Sequence, residues 1–116
     1  MTLTIYAIPG CNTVKKARVW LEGRGIEYRF HDFKKSGVPV DEAAKWIEEH
    51  GWEVLLNRAG TTFRKLPDDD KIGINEEKAL YLMCHYPSVI KRPVLDLEDR
   101  TLVGFKAEMY EAAFRP

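Results

Sequence analysis

Apolar and polar residues along this chain follow two rhythms. Over 3–8, apolar and β-branched types run almost unbroken, Leu3-Thr4-Ile5-Tyr6-Ala7-Ile8, and stop at Pro9-Gly10. A short run bounded by such a turn pair predicts a buried strand. Val14, Ala17 and Leu21 then recur at helical spacing among Lys15, Lys16, Arg18 and Glu22, and Gly23 and Gly25 end the pattern. That spacing predicts a helix of about three turns. Over 26–33 the period shortens to two: Ile26, Tyr28 and Phe30 alternate with Glu27, Arg29 and His31, which predicts a second strand. Strand, helix and strand in this order make a βαβ unit, with parallel strands and a right-handed crossover.

The pattern then changes character. A polar loop over 34–39 leads into a helix with Asp41 and Glu42 in its first turn and Ala43, Ala44 and Ile47 on its inner face, ended by Gly51. The acids suit the positive end of a helix dipole. Short helical pieces are expected over 53–66, joined at Ala59-Gly60-Thr61-Thr62, with Leu66-Pro67-Asp68-Asp69-Asp70 as a solvated linker. Asn75 is placed to cap a helix carrying Ala79, Leu80, Met83 and Tyr86, stopped by Pro87. After Arg92-Pro93 come a short strand over 94–97, a turn at Glu98-Asp99-Arg100, an antiparallel partner over 101–105 and a last helix over 107–114. A mixed sheet with helices on both faces is the natural way to bury these elements.

Composition narrows the function classes. The chain has 116 residues, the size of one domain, and 45% are hydrophobic and 31% charged, a globular balance. Eighteen basic residues meet eighteen acidic ones. No basic excess marks a nucleic-acid binder. The N-terminal apolar run has no basic residues before it and ends at Pro9, so it does not read as a signal peptide, and no stretch is long enough to span a membrane. The expected location is the reducing cytoplasm. The two cysteines, Cys11 and Cys84, make no disulfide scaffold there, and a free thiol is available for chemistry.

Cys11 falls at the junction of the first strand and first helix. The first turn of a helix leaves N–H groups unpaired and carries partial positive charge, which stabilises a thiolate. Lys15 shares the face of Cys11 four residues on, Lys16 adds charge, and Asn12 and Thr13 offer polar groups to a bound thiol or oxyanion. The bland alternative is an inert cysteine beside a core strand. Its place past the Pro9-Gly10 turn, at the carboxyl edge of the sheet where open α/β sheets set their sites, favours the reactive reading. Asn12-Thr13-Val14 follows, so no C-x-x-C disulfide forms. Cys84, beside Met83 in an apolar helix, reads as core. Resolution of a disulfide on Cys11 then falls to an external thiol, of which glutathione is the obvious cytoplasmic one. His31, His50 and His85 are scattered and form no metal-ligand spacing with the cysteines. Trp20, Trp46 and Trp52 read as packing residues.

Several segments in order resemble one family. Pro9-Gly10-Cys11, Lys15-Lys16-Ala17 and Trp20-Leu21 resemble the arsenate reductase superfamily, which includes ArsC, Spx and YffB proteins. So do Leu55-Leu56-Asn57-Arg58, Gly60-Thr61-Thr62, Arg64-Lys65-Leu66 and Lys91-Arg92-Pro93-Val94, with the middle segments closest to YffB-like members. The resemblance implies an α/β thioredoxin-like fold: a mixed four-stranded sheet flanked by helices, in a single domain over 1–116, with 35–74 as a mostly helical insertion. It implies a cis Pro93 facing Cys11, at the start of a strand whose exposed backbone would pair with a thiol peptide such as glutathione. ArsC proteins surround the oxyanion with a cysteine and three arginines. Arg92 fits one position, and the other two fall on Asn57 and Gly104, with Arg58 one place along. The C-x-x-C switch frequent in Spx proteins is absent. The resemblance therefore implies a glutathione-dependent thiol reductase, with Cys11 as nucleophile and Asn12, Thr13, Lys15, Arg58, Arg92 and Pro93 around the substrate. It implies no metal or tightly bound cofactor. The alternatives are arsenate reduction and a non-enzymatic, Spx-like protein that binds RNA polymerase.

Overall fold

A computed structural model describes residues 3–115. In chain order the elements are β1 Thr4–Ala7, α1 Asn12–Gly23, β2 Arg29–Asp32, α2 Phe33–Ser36, α3 Val40–His50, α4 Trp52–Leu55, α5 Thr61–Arg64, α6 Asp68–Lys71, α7 Glu76–His85, β3 Val94–Asp96, β4 Thr101–Val103 and α8 Ala107–Ala113, with a 3-10 turn at Pro87–Val89. The strands form one mixed sheet in the order β2-β1-β3-β4. β1 runs parallel to β2, with Ile5 opposite Phe30, and antiparallel to β3, with Ile5 opposite Leu95. β4 returns antiparallel to β3.

The chain gathers into two compact units. One holds the sheet, α1 and α8. Because side chains alternate across a strand, Leu3, Ile5 and Ala7 are buried while Thr4 and Tyr6 keep some exposure. Leu3, Ile5, Leu95 and Leu97 meet Ala17, Trp20 and Leu21 of α1 and Tyr110 of α8 in one cluster. Full burial of an aliphatic or aromatic side chain contributes about 1.5–3 kcal/mol each, so this face holds α1 in place.

β2 starts later than the period-two pattern predicts. Past α1 the N–H groups of Arg24 and Ile26 bond to Leu21 and that of Gly25 to Glu22, at 3.0–3.2 Å, so this backbone closes the helix and does not join a ladder. Ile26 and Tyr28 nevertheless pack against the core cluster. Their alternation records burial of a loop.

The other unit spans Phe33–Lys91 and is helical, wider than the 35–74 stretch read from the sequence. Its core includes Phe33, Trp46, Ile47, Leu55, Leu82 and Met83. Asn75 Oδ1 accepts the Lys78 N–H at 2.9 Å and caps α7, as its position predicts. Two helical turns stand where loops were expected. α2 replaces the start of the polar loop, and α6 replaces the solvated linker. The second is legible in hindsight: Pro67 precedes three aspartates, a combination that favours a helix start.

Candidate active site

The turn between β1 and α1 builds the site. Gly10 has φ +89°, a conformation glycine adopts without a Cβ penalty, and it turns the chain so that Cys11 becomes the N-cap of α1. The helical ladder starts there, with the Lys15 N–H bonded to the Cys11 carbonyl at 3.0 Å. The thiol is half-buried. Burial, the largest single influence, opposes its ionisation. Hydrogen bonds from the backbone N–H groups of Val14 and Thr13, with the hydrogen bond and charge of Arg92, together outweigh it. The Cys11 pKa therefore lies below the ordinary thiol value.

Arg92 arrives from the far end of the chain, just before β3, through a cis Arg92-Pro93 peptide bond. The cis bond is as the resemblance implies. β3 lies between β1 and β4 and is paired on both sides, and the Pro93 carbonyl accepts the Gly104 N–H at 2.8 Å. What this segment contributes at the thiol is the Arg92 side chain. Gly104 is buried with φ +80°, so its position calls for glycine and not for an arginine.

Within the sheet unit, Thr13 and Arg92 gather at the thiol. Thr13 acts through its backbone N–H, and Asn12 lies exposed beside it in the first turn. Lys15 is exposed on α1, and the cation acting on the sulfur is Arg92. Arg58 belongs to the helical unit, where its guanidinium lies over the Trp52 ring, 5.3 Å from the centroid. Asn57 is held there too: its N–H bonds to the Val89 carbonyl at 2.8 Å, and its side chain packs against Gly60. The sequence reading missed Val14, whose part is played by its backbone. Counting N2 and N3 from the cap at Cys11 would have found it.

The second cysteine contrasts with the first. Cys84 of α7 is also partly exposed, yet burial raises its pKa with nothing to offset it. Among the described residues, no group of three His, Cys, Asp or Glu could hold a metal, and no helix is long and apolar enough to cross a membrane.

A thiol at a helix N-terminus, with an arginine and a cis proline entering from the sheet's central strand, defines a thioredoxin-like thiol protein. The chain belongs to the ArsC family, whose family model matches residues 6–113. It is similar to a solved structure described as YffB protein, with a TM-score of 0.95 and 50% identity over 97% of this chain and 99% of that one. It is also similar to an arsenate reductase (ArsC) related protein from Brucella melitensis, with a TM-score of 0.76 and 49% identity over 100% and 97% of the two chains. The global transcriptional regulator Spx of Streptococcus mutans is 27% identical over 95% of this chain and 81% of its own length.

Proposed function

We propose that this protein is a cytoplasmic, glutathione-dependent thiol reductase acting through one thiolate and a mixed disulfide. The observation that carries the reading is the lowered pKa of Cys11, held by the N–H groups of Thr13 and Val14 and by Arg92. A thiolate is the species that attacks disulfide sulfur. In the first step the Cys11 thiolate attacks the glutathionyl sulfur of a substrate–glutathione disulfide. A Cys11–glutathione disulfide forms, the substrate's sulfur–sulfur bond breaks, and the substrate leaves as a thiolate that takes a proton from water. In the second step a glutathione thiolate attacks the glutathionyl sulfur on Cys11. Oxidised glutathione leaves and the Cys11 thiolate returns. When the Cys11 sulfur is in a disulfide it carries no charge, and Arg92 is then released to a carboxylate of glutathione.

The test is the pH dependence of Cys11 alkylation, with mass spectrometry after incubation with oxidised glutathione. The reading expects an inflection below the ordinary thiol value and one glutathione on Cys11. An unshifted, unreactive Cys11, or full reductase activity in Cys11→Ser, would sink it.

The match to a Spx regulator over almost the whole chain supports a second, non-enzymatic reading in which the protein binds RNA polymerase. Purified polymerase retained on the immobilised protein would favour it. Arsenate reduction is the weaker alternative. Of the three arginine positions only Arg92 carries a guanidinium, and each lost charge-assisted contact to an oxyanion costs about 1.5–3 kcal/mol.

A further inference from the structure

We propose that the groove between α3 and α7 docks a lysine- or arginine-rich amphipathic helix of a partner protein. This surface lies wholly within the helical unit and is independent of the thiol chemistry. Ala44 and Ile47 of α3 and Glu76, Glu77 and Leu80 of α7 line a cavity of about 370 Å³. The apolar face continues along α7 by helical spacing, through Tyr81, which is 48% exposed, to the partly exposed Cys84. An apolar depression between two helices is a shape that receives one face of a third helix.

Charge decides which helix. Glu76 and Glu77 are exposed and make no ion pair with any described residue. The same holds for Glu48, four residues after Ala44 on α3. The neighbouring cations are engaged elsewhere. Lys78 donates to the carbonyls of Asp69 and Ile72 at 2.5 Å each, Lys71 pairs with Asp68 at 3.5 Å, and Lys45 pairs with Glu42 at 3.6 Å. A helix dipole accounts for acids in the first turn of α7. It does not account for an open apolar groove beside them. A partner with leucine-like side chains at i, i+3, i+4 and i+7 and cations on the flanks would fill the groove and neutralise the carboxylates.

The probe is a short amidated peptide of leucine and lysine with that spacing, titrated into the isotope-labelled full chain while amide shifts are followed. A companion peptide carries glutamate in place of lysine. The proposal expects shifts concentrated in α3 and α7 with the lysine peptide, and affinity at least about tenfold lower for the Glu76→Lys, Glu77→Lys double variant. Leu80→Asp should also abolish the shifts, and Cys11→Ser should leave them unchanged. Equal binding of the glutamate peptide, shifts confined to other elements, or no shifts at all would overturn it. So would self-association of the free chain that Leu80→Asp abolishes, since the groove would then belong to a second copy.

Discussion

Arg92 and Cys11 are separated by most of the chain, yet they share a hydrogen bond. Removing the guanidinium in Arg92→Ala takes away both that bond and its charge, so the thiol pKa moves upward. The alkylation rate at neutral pH should fall, and the inflection of its pH profile should move toward the ordinary thiol value. The same shift couples to stability. A thiol whose pKa is lower in the folded than in the unfolded chain contributes stability above the unfolded value, and this is lost as pH falls through the folded value. Urea unfolding of the unsubstituted protein against Cys11→Ser should therefore show a gap that widens as pH rises through that window. At Tyr110 the reasoning runs the other way. Its hydroxyl is fully buried with no hydrogen-bond partner among the described residues, and burial pushes its pKa up. Tyr110→Phe removes a desolvated O–H and leaves the ring contacts with Trp20 and Phe105 in place. It should stabilise the fold by about 1–3 kcal/mol, read as a higher urea midpoint.

At the scale of elements, the helix starts divide into those that side chains cap and those that they do not. Asn75 caps α7 with its own oxygen. Asn75→Ala should cost about 1 kcal/mol in chemical denaturation. Gly104 tests the link between an element and the site. Gly104→Arg would return an arginine to a position where ArsC proteins carry one, but at a φ of +80° a side chain costs about 1–2 kcal/mol. The expected outcome is a lower melting temperature without gain of glutathione-dependent arsenite formation. The sheet edges carry a similar lesson. Period two over 26–33 predicts a strand, but only Arg29–Asp32 pairs, because residues 24–26 close α1.

At the scale of the molecule, the core cluster joins the sheet to α1 and α8 and so holds the Cys11 cap in register. Leu95, fully buried opposite Ile5, is central to it. Leu95→Ala should destabilise by about 2–5 kcal/mol and loosen the thiol's environment, seen as an alkylation profile moving toward that of an unfolded thiol.

Much of this was legible along the chain, because the features concerned are local. β1 follows from an apolar run ended by Pro9-Gly10, α1 and α7 from their spacing and breakers, and the place of Cys11 at a helix start, where N–H groups meet the sulfur, from the junction of the first strand and helix. The βαβ order and the closing hairpin needed only short connections. Other features depend on contacts between distant residues, and a local pattern carries no record of those. Lys15, four residues from Cys11, looked like the cation at the thiol. Arg92 takes that role because antiparallel pairing of β3 with β1 brings residue 92 to the end of β1, where Cys11 begins α1. The same pairing makes β3 an inner strand, bonded on both sides. Gly104 stands where the resemblance puts an arginine, whereas its N–H ties the Pro93 carbonyl and its φ disfavours a side chain. The sequence by itself pointed to the sulfur whose pKa is lowered, through the local electrostatics of a helix N-terminus. Tertiary structure decided between the charges the sequence offered, Lys15 and Arg92, because strand pairing brings residue 92 to the end of β1.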